Sequence, residues 1–324
     1  MQFLYLLEKI RNPVFDFIFS TLTYLGDETV FLLLSIFIFW CVDKKRGYFI
    51  LISGFFGTII NQVCKLTFKI PRPWVIDSEF TIVESAREAA TGYSFPSGHT
   101  QNAVSTFGAV YSTSKKKWVR GLALAAAITV PFTRMYLGVH TPWDVLAAAA
   151  TAIILLIVLY PLFEDEDMFE RAMPYVCAAI VFVSFVFFVY AMFIGNPNAN
   201  QNTYSAAKNA CTLLGCSLAL IPVYFIDRRY TDFKTDGKWY AQLFKLVIGL
   251  AVVFVIKTFV KIPLEALMGP LYERALRYFL IVIFAGAVWP LTFAWFSKLD
   301  IPALNRFGER VKAIFTKKSA EEEI

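Results

Sequence analysis

Histidine is nearly absent from this 324-residue chain, occurring at His99 and His140 and nowhere else. A metal centre assembled from clustered histidines has no material here, and any imidazole chemistry rests on those two positions. Charge is also sparse, at 17% Asp, Glu, Lys and Arg against about 25% in a soluble domain. Cysteine is limited to Cys41, Cys64, Cys177, Cys211 and Cys216, all in or beside apolar segments and none in a CxxC pair. That pattern excludes a disulfide framework and a zinc ribbon. Residues 1–26 lack the uninterrupted apolar core of a secretory signal, because Glu8, Lys9, Arg11 and Asp16 break it up. They are expected to form an interfacial N-terminal helix.

What the chain has instead is apolar surface: 57% hydrophobic residues, 33 of them Phe, with a mean hydropathy of +0.57. The expected fold class is all-α, a polytopic membrane helix bundle, because backbone exposed to lipid must satisfy its own hydrogen bonds. About nine spans are predicted near 28–43, 46–69, 98–114, 118–135, 143–162, 174–194, 207–226, 240–260 and 275–297. If they alternate, Lys44-Lys45-Arg46, Lys115-Lys116-Lys117 with Arg120, Asp227-Arg228-Arg229 and the basic tail from Arg306 to Lys318 share one side. The excess of Lys and Arg makes that side the cytoplasm, despite the acidic turn Glu164–Asp167. The net charge of +6 is thereby explained without a nucleic acid partner. The opposite, outer side receives 72–97, 135–142, 195–206 and 261–274, and the expected location is the cytoplasmic membrane of a bacterium.

Three segments on that outer side carry chemistry: Lys65 to Arg72-Pro73, then Pro96-Ser97-Gly98-His99, then Arg134 with His140 and Asp144. Pro71 and Pro73 should stop the preceding helix and let Arg72 turn back toward a site. Arginine suits phosphate through its two parallel donors, and lysine adds a compact charge. Lys69 is read as snorkelling to the interface. Ser97 and Gly98 look like a helix start whose free amides would face an anion, with His99 in the first turn. Thr141, Pro142 and Asp144 form a second helix start. Asp144, four residues after His140, is placed either to orient that ring, to close a capping box, or to do both.

These motifs resemble, nearly position for position, the three signatures of the type 2 phosphatidic acid phosphatase (PAP2) superfamily, with Thr133 where the family usually has serine. The resemblance covers about residues 28–165. It implies a six-helix phosphatase-type core within 27–173; the hydropathy and charge pattern adds further transmembrane helices over 174–300 and a basic and acidic cytoplasmic tail over 301–324. It further implies that Lys65, Arg72, Ser97, Gly98 and Arg134 bind phosphate, that His140 attacks phosphorus, that Asp144 orients it, and that His99 protonates the leaving oxygen. The implied enzyme is a cofactor-free, metal-independent phosphatase at the outer face, working through a phosphohistidine on a lipid phosphate or diphosphate. Phosphatidic acid, phosphatidylglycerophosphate and undecaprenyl diphosphate are the implied substrate types, with membrane lipids as surroundings. The alternatives are a glucose-6-phosphatase-like enzyme on a water-soluble ester, or a non-catalytic lipid-phosphate binder or transporter.

The last third holds one further pattern. Lys257-Thr258-Phe259-Val260-Lys261-Ile262-Pro263 repeats the spacing of Lys65-Leu66-Thr67-Phe68-Lys69-Ile70-Pro71. Either 207–297 is a degenerate parallel repeat of 28–114, or interfacial lysines before a helix-ending proline have recurred by chance.

Overall fold

The computed structural model describes residues 1–310, Ala89 excepted. Two short helices open the chain, α1 (Gln2–Lys9) and α2 (Pro13–Leu22), and a 3-10 turn over Thr23–Gly26 leads into α3 (Glu28–Cys41). There follow α4 (Lys44–Phe68), the single turn α5 (Pro73–Ile76), α6 (Gly98–Thr113), α7 (Lys117–Tyr136) and α8 (Pro142–Glu164). The remainder is α9 (Glu166–Val189), α10 (Gln201–Ile226), α11 (Trp239–Phe259), α12 (Lys261–Ile283) and α13 (Phe293–Ser297). The all-α class is as expected, and no strand occurs among the described residues.

Local chemistry sets where these helices begin. Asp43 accepts from the Arg46 amide at 2.9 Å to start α4, Asp165 from the Met168 amide at 2.7 Å to start α9, and Asn200 from the Asn202 and Thr203 amides to start α10. The acidic turn 164–167 is consequently only a hinge between two helices, and α9 begins eight residues before the expected span at 174. Six helices are long and apolar enough to cross a membrane, or seven if Pro13–Gly26 and Glu28–Cys41 count as one span bent by 49°. This falls below the expected nine: α6 has only 16 residues, and α7 is punctuated by Lys117, Arg120 and Arg134. The molecule is an integral membrane protein.

The stretch 261–274 was expected as an outer loop, and the structure corrects this. Val260 keeps right-handed helical angles (φ −72°, ψ −21°), so helix resumes at once in α12. The break is deferred to Gly269, whose φ of 79° suits a residue without Cβ, just before Pro270. Beyond that break one charge pair is internal: Glu273 and Arg277 are both buried. The Arg277 guanidinium donates two bonds to Glu273 at 2.8 and 2.9 Å and a third to the Lys257 carbonyl of α11 at 2.9 Å.

Helix packing depends on aromatic mass and on small residues where backbones approach. Phe31, Trp40, Phe49, Phe163, Ile180 and Phe293, from α3, α4, α8, α9 and α13, are buried in one cluster. A Cβ on Gly215 of α10 would lie 2.0 Å from the Ala275 carbonyl of α12, so only glycine permits that crossing. Lys45 pairs with Glu166 at 2.8 Å and Lys44 with Asp227 at 2.8 Å, which gathers three inter-helix turns at one end of the bundle. The other end holds the C-termini of α4 and α7 and the N-termini of α6 and α8, and with them both histidines. The part of the expected cytoplasmic tail beyond residue 310 lies outside the described residues.

Candidate active site

Four helix ends and two loops build the site. Helix α4 stops at Phe68, three residues before Pro71, because Lys69 turns left-handed (φ 51°) and donates its amide to the Lys65 carbonyl. Lys69 itself is exposed. Released from the helix, Arg72 folds inward and is 6% exposed. Its Nη1 donates to the Val139 carbonyl at 2.9 Å and lies 2.8 Å from His140 Nε2. Its Nη2 and Nε donate to the Thr91 and Gly92 carbonyls at 2.7 and 3.2 Å. One residue along that loop, the Tyr93 carbonyl accepts from Lys65 Nζ.

Ser97 is wholly buried and caps α6 through its Oγ, which lies 3.4 Å from the Thr100 amide. Its own amide donates to the Asp144 carbonyl at 3.0 Å, which ties the start of α6 to the start of α8. A Cβ on Gly98 would meet nothing within 4 Å, so the first turn of α6 opens onto free space. His99 is half-buried in that turn, with Gly26 packed so closely on its carbonyl that a Cβ there would come within 2.6 Å.

Arg134, in the last turn of α7, is 1% exposed. Its Nη1 donates to Thr23 Oγ1 at 2.8 Å, while its Nε is buried without a partner among the described residues. A buried guanidinium donor of this kind suits an anionic oxygen.

His140 and Asp144 are both buried, at 2% and 1% exposure. Asp144 Oδ2 accepts from the Thr141 amide at 2.7 Å and completes a capping box with Thr141. The same oxygen is 3.5 Å from His140 Nδ1, too long for a good hydrogen bond, and accepts instead from Ser94 Oγ at 2.6 Å. Ser94 Oγ is itself 3.5 Å from Nδ1, so ring, hydroxyl and carboxylate form one buried group. Burial, then the charges of Arg72, Arg134 and Lys65, hold His140 well below its ordinary pKa. Its ring is therefore neutral at neutral pH.

All eight motif residues thus converge on one end of the bundle. Ser94, Thr23, Gly26 and Asn61, which donates to the Pro96 carbonyl at 3.3 Å, were not picked out in the sequence. A serine in a polar loop reads as a turn residue, and a threonine opening a 3-10 turn carries no signal. The 1–26 segment, expected to be interfacial, also contacts the site. Arg11 Nε donates to the Tyr136 carbonyl at 3.0 Å and Tyr136 Oη to Asp16 at 2.7 Å, bracing the end of α7 that presents Arg134. Among the described residues no group of three or more His, Cys, Asp or Glu side chains could hold a metal ion.

Comparison with known proteins places these features in context. The model of the PAP2 superfamily matches residues 46–168, and that of the PAP2 superfamily phosphatase transmembrane extension matches 207–300. A human sphingosine-1-phosphate phosphatase 2 is 26% identical over 54% of this chain and 45% of its own length. An undecaprenyl-diphosphatase of Bacillus subtilis is 31% identical over 45% of this chain and 73% of its own, and a phosphatidylglycerophosphatase B of the same organism is 29% identical over 45% and 74%. The chain thus spans about half the length of the human relative. No solved structure matches it.

Proposed function

We propose, from the premise that this chain belongs to the PAP2 superfamily, that it is a metal-independent phosphatase hydrolysing a phosphate ester or diphosphate of a lipid. The observation that carries this reading is the convergence of Lys65, Arg72 and Arg134 on a neutral, buried His140, with one Arg134 donor unmatched. Phosphoryl transfer requires positioning and charge on the equatorial oxygens, and three cations with the amides at the start of α6 supply both.

His140 Nε2 attacks phosphorus, forming the N–P bond as the bond to the leaving oxygen breaks, and His99 gives that oxygen a proton. His99 then takes a proton from water, whose oxygen breaks the N–P bond and releases inorganic phosphate. Asp144 and Ser94 hold the Nδ1 side of the ring. The incoming phosphate replaces His140 Nε2 and the loop carbonyls as the partner of Arg72 and Lys65. A lipid substrate is supported by the names of the relatives, which act on sphingosine 1-phosphate, undecaprenyl diphosphate and phosphatidylglycerophosphate. We read the bundle end with the histidines as the outer face of a bacterial cytoplasmic membrane, since the basic turns gather at the other end.

The test is phosphate release in detergent, with a chelator, from phosphatidic acid, phosphatidylglycerophosphate, undecaprenyl diphosphate, sphingosine phosphate and glucose 6-phosphate. Lipid phosphates should be turned over, vanadate should inhibit, and His140→Ala should lose ~10³-fold or more. Turnover confined to glucose 6-phosphate would favour a water-soluble substrate. A His140→Ala variant with a tenth of the wild-type rate would refute the nucleophile.

A further inference from the structure

Where the transmembrane extension meets the phosphatase core, the structure contains a cavity of about 60 Å³ that the proposed chemistry does not use. Two helix faces wall it. Gln62, Lys65 and Leu66 come from α4, and Asn202, Ser205, Ala206 and Asn209 come from α10. Positions 202, 205 and 209 fall on one stripe of a helix. The third wall is the loop Thr91-Gly92-Tyr93. Among the described residues the side chains of Gln62, Asn202, Ser205 and Asn209 make no hydrogen bond, and all four are half-buried, so their donors and acceptors stand open to a ligand.

The cavity adjoins the site directly. Lys65 lines it, and the loop forming its third wall is the one whose three carbonyls accept from Lys65 and Arg72. A group lodged here lies against Lys65, with the loop between it and Arg72.

We infer that this cavity is a headgroup pocket, receiving an uncharged hydroxyl or amide group carried by the alcohol half of the substrate beside its phosphate ester. The inference rests on the phosphatase reading above. Three amides and a hydroxyl offer donors and acceptors together, as a hydroxyl requires. Lys65 is the charged lining residue and no carboxylate joins it, which disfavours an ammonium group. The volume holds about four waters, sufficient for a small polar substituent and too little for an acyl chain. The extension thereby supplies selectivity to a core that supplies the chemistry.

The experiment compares dodecyl phosphate with 2-hydroxydodecyl and 2-aminododecyl phosphate on the purified full chain. The hydroxyl analogue should exceed the plain ester in kcat/KM by about tenfold, the effect of one matched polar pair. Asn202→Leu with Asn209→Leu should abolish that ratio while dodecyl phosphate turnover stays within about twofold. Ser205→Ala, a smaller change, should narrow it. An unchanged ratio in all variants, an equal loss on both substrates in Ser205→Ala, or a preference for the amino analogue would overturn the pocket assignment. If the wild type hydrolyses none of the three esters, the phosphatase reading fails first and the pocket with it; turnover without discrimination sinks the pocket alone.

Discussion

Ser94 links the sequence motifs to one another at the scale of single atoms. Its hydroxyl reaches Asp144 at 2.6 Å and lies within 3.5 Å of His140 Nδ1. Asp144 is thus held from two directions, by this hydroxyl and by the Thr141 amide. Removing one neutral donor to a buried carboxylate leaves its charge less well matched, which is worth about a decade in rate. Ser94→Ala should therefore lower kcat about tenfold with little change in KM, since the substrate makes no contact with Ser94 in the proposed geometry. A rise in KM at constant kcat would show that Ser94 binds substrate instead of positioning the ring.

Among the elements, the contact of α10 with α12 is the most exacting, because its tolerance is set by backbone. A side chain at Gly215 would meet the Ala275 carbonyl, carbon and Cα at 2.0 to 2.8 Å, and no rotamer can relieve that. Gly215→Leu should cost about 1–3 kcal/mol or more, read as a lower thermal midpoint in detergent. Gly121→Ala in α7 serves as the control, since nothing lies within 4 Å of its Cβ and helix propensity should leave it neutral or slightly stabilised. The proposed repeat belongs at this scale too. Superposing 207–260 on 28–69 should bring Lys257 near Lys65 with a similar helix pair, and Lys257→Ala should keep turnover within roughly tenfold of wild type. A different helix arrangement would refute the duplication, and a folded but inactive Lys257→Ala would give the extension a direct catalytic part.

For the whole molecule, the question is which membrane face the site serves. Lys44, Lys45 and Arg228 sit with their ion-pair partners at the end opposite the histidines. On the proposed reading, positive-inside bias then directs the site outward. In intact cells, a membrane-impermeant phosphate ester should be hydrolysed at the rate seen after permeabilisation. A tenfold rise on permeabilisation would place the site on the cytoplasmic face. Activity should likewise persist in EDTA, because the proposed transition state is neutralised by side chains of this chain.

Much of this was legible in the primary structure, because membrane insertion and helix capping are local. Apolar length, the Pro-Ser-Gly-His and Thr-Pro helix starts, and basic turns are each contained in a few consecutive residues, so the helix class and the eight motif residues could be read directly. The limits of helices were less legible where backbone angles decide: Val260 could continue a helix or end it, and its right-handed angles, which carry helix straight into 261–268, leave no mark in the local residue types. Only the tertiary structure shows that Thr23 holds Arg134, that Ser94 shares Asp144 with Thr141, and that Asn202, Ser205 and Asn209 face Lys65 across a cavity. These juxtapositions join residues as much as 144 positions apart. Sequence spacing records neighbours along one helix, and carries no trace of which other helix that face will meet.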